Sequence, residues 1–230
     1  MVAADEEVCL HVATCGEGPD VLVLSGGPGC VNYLSDETLA PHGFRAWFPD
    51  PRGVGRSGGG PHDMAQAVLD LETIRHELGI AAWMVVGHSW GSDLAVCYAL
   101  EHPARVKVVI GVTGHGLHRD REWSDAYEAG KSGEPSIAID FVPEIHDSLW
   151  TSFPDWIHQP TLWRRLADTA VPMRFIGAGH DIRPNWPLRQ LAALVPRGEF
   201  EFVPDVVHDF WHTDSPLWRA TITDACMRYL

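Results

Sequence analysis

The stretch "MVVGHSWGSDLAV", Met84 to Val96, decides how the rest of the chain is read. An apolar run enters Gly87-His88-Ser89-Trp90-Gly91, which fits G-x-S-x-G, and a helix-compatible run follows. The chain must pass from strand to helix almost at once, holding the serine in an unfavourable backbone conformation. Glycines on both sides remove side chains that would collide with the neighbouring strand and helix. The start of the helix aims backbone N–H groups and a positive dipole end at the serine. In that context Ser89 reads as a nucleophile rather than as a small residue tolerated in a tight turn.

Outward from the elbow, short apolar runs alternate with helical patterns, which predicts a mostly parallel sheet covered by helices. "VCLHVAT" reads as a first strand and "GEGPD" as a turn. Residues 21–24 and 44–50 are strands running into "SGGPG" and "PRGVGRSGGGP". Over 62–78, Met64, Ala67, Val68, Leu71, Ile74 and Leu78 share one helical face, and Gly79 ends the helix. Strands are expected over 81–86, 105–113, 173–179 and 199–203. Helices are expected over 90–101, 187–195 and 215–229.

The alternation breaks over 114–169, which carries no convincing strand but has Trp123, Trp150, Trp156 and Trp163. The simplest division is an α/β core of 1–113 and 170–230, interrupted by a lid of 114–169. A long excursion without strands of its own is usually a functional element. Its tryptophans either pack it onto the core or form an aromatic cage. Both predict a hydrophobic pocket over the elbow.

A serine hydroxyl needs a base, and the base needs a carboxylate to orient it. In this architecture the order is serine, acid, histidine, each in a loop after a later strand. Asp181 follows the strand at 173–179 and is the expected acid. His208 follows the strand at 199–203 and is the expected base. His212 is the alternative base, and Asp205 and Asp209 are alternative acids that crowd His208. Asp181 could instead cap the next helix. The oxyanion needs two donors. The amides of Trp90 and Gly27 are the candidates, since Pro28 has no N–H.

The bulk numbers narrow the classes. The chain has 230 residues, 45% of them apolar, enough for one sizeable domain. A formal charge of −14 argues against nucleic acid and anionic membrane as partners. No run reaches the roughly 20 apolar residues that span a bilayer. The acidic start "MVAADEEVCL" lacks the pattern of a signal peptide, which predicts a cytoplasmic protein. Five scattered cysteines fit neither a disulfide framework nor a zinc site. The oligomeric state is left open.

Several motifs compete with this reading. Gly53-Val-Gly-Arg-Ser-Gly58 matches a dinucleotide fingerprint, yet it lies in the second βα connection and Pro61 separates it from the helix. It reads as a tight loop held by Asp50 and Arg52. "HDFWH" at 208–212 resembles a zinc motif, with Asp209 where glutamate is required. "HGLH" at 115–118 could be a ligand pair, but no acidic or cysteine partner accompanies it. No cofactor and no metal is expected.

The elbow, the order Ser89, Asp181, His208 and the strand pattern resemble the α/β-hydrolase fold over nearly the whole chain. Within it, "SGGPG", "DPRGVGRSGG" and "GHSWGS" are similar to the proline iminopeptidase branch, which carries H-G-G-P-G, D-x-R-G-x-G-x-S and G-x-S-W-G-S. The resemblance implies a serine hydrolase working through an acyl-enzyme on a small ester or amide, or on a short peptide with N-terminal proline. Ser25 stands where that branch has histidine. The insertion is also much shorter than its helical cap, where glutamates hold the substrate amine. Glu122, Glu128, Glu134 and Glu144 lie in the insertion here. A binding protein without catalysis remains the alternative from another class.

Overall fold

The computed structural model of the protein describes residues 2–5, 8–118 and 120–230. The chain opens with an antiparallel ribbon of β1 (Val2–Asp5) and β2 (Val8–Leu10). β3 (Val12–Cys15), β4 (Asp20–Leu24), β5 (Arg45–Pro49), α1 (Met64–Glu77), β6 (Trp83–His88), α2 (Trp90–Glu101) and β7 (Val106–Val112) follow. Residues 114–169 hold α3 (Arg121–Gly130), α4 (Pro143–Ile157) and α5 (Leu162–Asp168). The alternation resumes with β8 (Met173–Ala178), α6 (Trp186–Leu194), β9 (Gly198–Val203), the single turn α7 (Phe210–Thr213) and α8 (Ser215–Met227).

The main sheet has seven strands in the order β3-β5-β4-β6-β7-β8-β9. Only the edge strand β3 runs antiparallel to its neighbour. β6 is central and buried along its whole length, as expected of a strand covered on both faces. Successive residues feed opposite faces. Leu22, Leu24 and Val85 join one apolar cluster with side chains of α1, α2 and α6. Val21, Val23, Met84 and Val86 join a second with α8.

This strand order positions the site. After β4 the chain moves outward to β5, then returns to place β6 on the other side of β4. The crevice at the carboxyl ends of β4 and β6 is the topological switch point, where ligands bind in such sheets. The loop Ser25–Gly29 and the elbow at Ser89 meet there.

Two expectations need correction. "VCLHVAT" is not one strand, because the chain breaks at His11 between β2 and β3. The loop after β5 claims that peptide unit: His11 N donates to Ser57 Oγ at 2.8 Å, and Asp50 N donates to His11 O at 3.0 Å. The first long helix begins at Met64, where the Asp63 side chain accepts from Gln66 N at 2.8 Å. Its last turn closes before Gly79 in the left-handed region.

The strand-free reading of 114–169 agrees with the described residues, apart from one isolated bridge between Phe141 and Cys30. The segment follows the fifth strand of the main sheet. Ile145, Leu149, Phe153 and Trp156 on one side of α4 merge with the α1–α2 cluster. Leu162 and Leu166 of α5 join the same cluster, so the segment shares the core of the main sheet.

Candidate active site

At the elbow, Ser89 has φ 53° and ψ −126°, a conformation that costs about 1–3 kcal/mol and persists only where the surroundings enforce it. Ser89 N donates to Val112 O at 2.8 Å, and Ser92 N to Ser89 O at 2.9 Å. Gly91 faces β4 so closely that a Cβ there would sit 2.5 Å from Ser25 O. Gly87 is closed in the same way by the backbone of Gly91 and Ser92. Ser89 stands at the N-cap of α2, yet its side chain makes no capping bond. A serine kept only to start the helix would use its hydroxyl for that.

The loop after β4 lies against Ser89. A Cβ on Gly26 would approach Ser89 Cβ to 2.5 Å. Gly26 N–H is spent on Tyr33 Oη at 2.7 Å, leaving Gly27 as the next donor along the loop. From α4, His146 Nδ1 approaches the carbonyls of Pro28 and Gly27 at 2.9 and 3.3 Å. Ser25 Oγ donates to Val31 O at 3.4 Å.

The loops after β8 and β9 bring the expected acid and base together. His208 Nδ1 lies 2.7 Å from Asp181 Oδ2, with the two side chains 5% and 4% exposed. Burial alone would raise the Asp181 carboxyl. The facing His208, its hydrogen bond and the Arg183 guanidinium outweigh it and hold Asp181 well below the usual carboxylate range. His208 is tied to the elbow through His88, whose Nε2 donates to His208 O at 3.1 Å. The alternatives do not take that place. Asp205 is exposed and pairs loosely with His180, and His212 is exposed. Asp209 accepts from Trp211 Nε1.

Three groups escaped the sequence reading. Arg183 reaches Asp181 Oδ1 at 3.1 Å while gripping Glu134 of the insertion at 2.6 and 3.1 Å. Asp181 Oδ1 also accepts from Arg183 N at 2.9 Å, an Asx-type turn that the Asp-x-Arg spacing allows. Glu134 is therefore committed to Arg183, whereas Glu122 and Glu144 are exposed and Glu128 pairs with Lys131.

The second group is Asp93, one helical turn after Ser89. It accepts from His115 N, His115 Nδ1 and Leu117 N at 3.0, 3.0 and 2.8 Å. "HGLH" thus has an acidic partner after all, 22 residues upstream. That bond anchors the start of the insertion to α2. His115 packs against Trp123 and Trp150, with ring centroids 4.7 and 5.2 Å away. Trp123 stacks in turn on Tyr127, which lies under Arg183. The third group is the pair Tyr33 and His88, whose atoms are 2.7 Å apart.

Among the described residues, one cluster has donors close enough for a metal: His88, His208 and Asp209. Both ring nitrogens of His88 are engaged within the protein, His208 Nδ1 faces Asp181, and Asp209 Oδ1 serves Trp211. These bonds would have to break first, so the donor set does not fit a metal centre. In the glycine loop, Arg52 donates through Nη1 to Gly60 O at 3.3 Å and ties the loop to Asp70 on α1 through Nε at 2.9 Å and Nη2 at 2.5 Å. Asp50 accepts amides of that region, from Asn32 and Arg56. Among the described residues, no helix is long and apolar enough to cross a membrane.

The chain is similar to known proteins at two levels. A proline iminopeptidase of Neisseria gonorrhoeae is 38% identical over 149 residues, which cover 60% of this chain and 42% of the relative. An epoxide hydrolase 2 of Siraitia grosvenorii is 35% identical over 116 residues, 48% of this chain and 37% of the relative. The chain therefore spans about two fifths of the length of the curated relatives it matches. Among solved structures, a Mycobacterium smegmatis proline iminopeptidase superposes with a TM-score of 0.70 at 17% identity, covering 99% of this chain and 97% of that one. That likeness carries the fold. The family model for the alpha/beta hydrolase fold matches residues 19–138, from the start of β4 through the elbow and into the insertion. With that match added to the sheet order and the elbow, the chain belongs to the alpha/beta hydrolase fold family.

Proposed function

We propose that the protein is a serine hydrolase that cleaves a small ester or amide through an acyl-enzyme. The observation that supports this is a strained, uncapped Ser89 whose neighbour His88 bonds the backbone of His208, itself held by a buried Asp181. His208 Nε2 takes the Ser89 proton as Oγ attacks the substrate carbonyl. The amides of Gly27 and Trp90 hold the resulting oxyanion. Asp181 fixes the tautomer with the proton on Nδ1 and stabilises the imidazolium. His208 then protonates the leaving group, and a water activated by the same imidazole clears the acyl group. No step needs a cofactor. Epoxide opening in this fold uses a carboxylate nucleophile, and serine occupies the elbow here.

Residues 114–169 act as the lid in this reading. They touch the oxyanion loop through His146 and the acid through Glu134 and Arg183. The buried Trp123 and Trp156 support the lid packing onto the core.

A second reading, an aminopeptidase acting on N-terminal proline, is favoured by the resemblance of "SGGPG" and "GHSWGS" to the relatives named above. Against it stands Glu134, already neutralised by Arg183 and so unavailable to a substrate amine. A panel of p-nitrophenyl esters of rising chain length beside proline, alanine and leucine arylamides separates the two. Ester turnover lost in Ser89→Ala supports the general hydrolase. Turnover confined to proline arylamide supports the aminopeptidase. Neither activity in folded protein supports a binding protein.

A further inference from the structure

The mechanism above leaves His88 and Tyr33 without a role, yet they form a directed chain of hydrogen bonds. A backbone carbonyl can only accept, so the 3.1 Å contact between His88 Nε2 and His208 O places a proton on Nε2. In the neutral ring, Nδ1 then carries the lone pair and accepts from Tyr33 Oη at 2.7 Å. With its proton so used, Tyr33 Oη accepts from Gly26 N–H at 2.7 Å. The chain therefore runs from Gly26 through Tyr33 and His88 to the peptide carbonyl of His208.

The surroundings hold this arrangement. His88 is fully buried. Burial and the facing His208 push its pKa down to about 4, which keeps the ring neutral. Asp209 from the β9–α7 loop lies 3.9 Å from Nε2, and Arg183 acts from the β8–α6 loop. Tyr33 stacks on Trp211 with centroids 4.6 Å apart, and Trp218 of α8 meets the His88 ring edge-on at 5.5 Å.

Each link sits next to a part of the chemistry. Gly26 precedes the oxyanion donor Gly27, His88 precedes the nucleophile, and the last acceptor is the peptide unit of the base itself. Acyl transfer needs all of these in register, and a displacement of about 1 Å costs about 100-fold in rate. We propose that Tyr33 and His88 are positioning residues, a relay that sets the oxyanion loop and the His208 loop against Ser89. The relay rests on the serine-hydrolase reading and touches no substrate.

The probe is a fluorophosphonate, which needs the oxyanion hole and His208 but no known substrate. Tyr33→Phe keeps the ring stacked on Trp211 and removes only the hydroxyl. It should slow labelling of Ser89 about 10- to 100-fold. It should also shift the far-downfield proton resonance of the His208–Asp181 hydrogen bond, while the folded population stays unchanged. His88→Gln retains a donor and an acceptor and should recover part of the rate lost in His88→Leu. The inference is overturned if Tyr33→Phe labels at the wild-type rate with the downfield proton unmoved. It is equally overturned if His88→Gln and His88→Leu lose labelling only in proportion to folded protein. Ser89→Ala separates the two levels: unchanged labelling of that variant sinks the serine-hydrolase reading itself, and the relay with it.

Discussion

His208 Nδ1 and Asp181 Oδ2 stand 2.7 Å apart, and the second oxygen of the same carboxylate is held by Arg183. One carboxylate therefore serves both His208 and an arginine tied to the insertion. Asp181→Asn would leave the imidazole without its acceptor and favour the wrong tautomer. We expect a fall in kcat of about 10³- to 10⁴-fold with the fold intact. Asp205→Asn, at an exposed side chain, should stay within about twofold of wild type. Steady-state kinetics on any turned-over ester checks both, and a larger loss in Asp205→Asn would reassign the acid.

The link between Arg183 and Glu134 gives a prediction about the insertion. Arg183→Met strands the Glu134 carboxylate and removes one partner of Asp181, so it should cost about 3 kcal/mol. Glu134→Gln should cost less. Native-state hydrogen exchange should show faster opening of 121–142 in both variants while β6 and β7 stay protected. A double-mutant cycle with no coupling between the two residues would mean that the ion pair does not hold the segment down.

Asp93 makes a separate prediction. An amide at that position would present N–H₂ toward groups that themselves donate, leaving buried donors unpaired. Asp93→Asn should lower stability by about 2–3 kcal/mol, read as a drop in the urea midpoint at constant m. An unchanged midpoint would show that His115 and Leu117 find other acceptors.

His88 predicts a pH dependence of stability. Its folded pKa of about 4 lies below the ordinary 6.5. Between those values the unfolded chain holds the proton and the folded one does not, so stability rises with pH there. On acidification from about pH 6.5 to about pH 4 the protein should lose about 3 kcal/mol from this group. Asp181 is depressed instead, and its contribution is present above the ordinary carboxylate pKa and lost below it. Urea titrations across this range should show a shallower loss in His88→Gln than in wild type, and equal slopes would contradict the assignment.

The sequence made the sheet and the elbow legible because both rest on local physics. Short, fully apolar runs bounded by turn residues, such as Val21–Leu24, fit buried strands, and glycines at 87 and 91 mark where backbones touch. The meeting of Asp181 with His208 was legible from their places just after strands. Arg183, Asp93 and Tyr33 were not, since their partners lie 49, 22 and 55 residues away. The break at His11 was hidden for the same reason. An alternating run looks continuous until Ser57 and Asp50, from a distant loop, take its peptide groups.

The most direct test is the site of covalent labelling. Folded protein is treated with a fluorophosphonate and the modified peptide is mapped by mass spectrometry. The expected result is one label per chain, on Ser89, abolished in Ser89→Ala and strongly slowed in His208→Ala. A folded protein that takes no label, or takes it on another residue while Ser89 stays free, would contradict it.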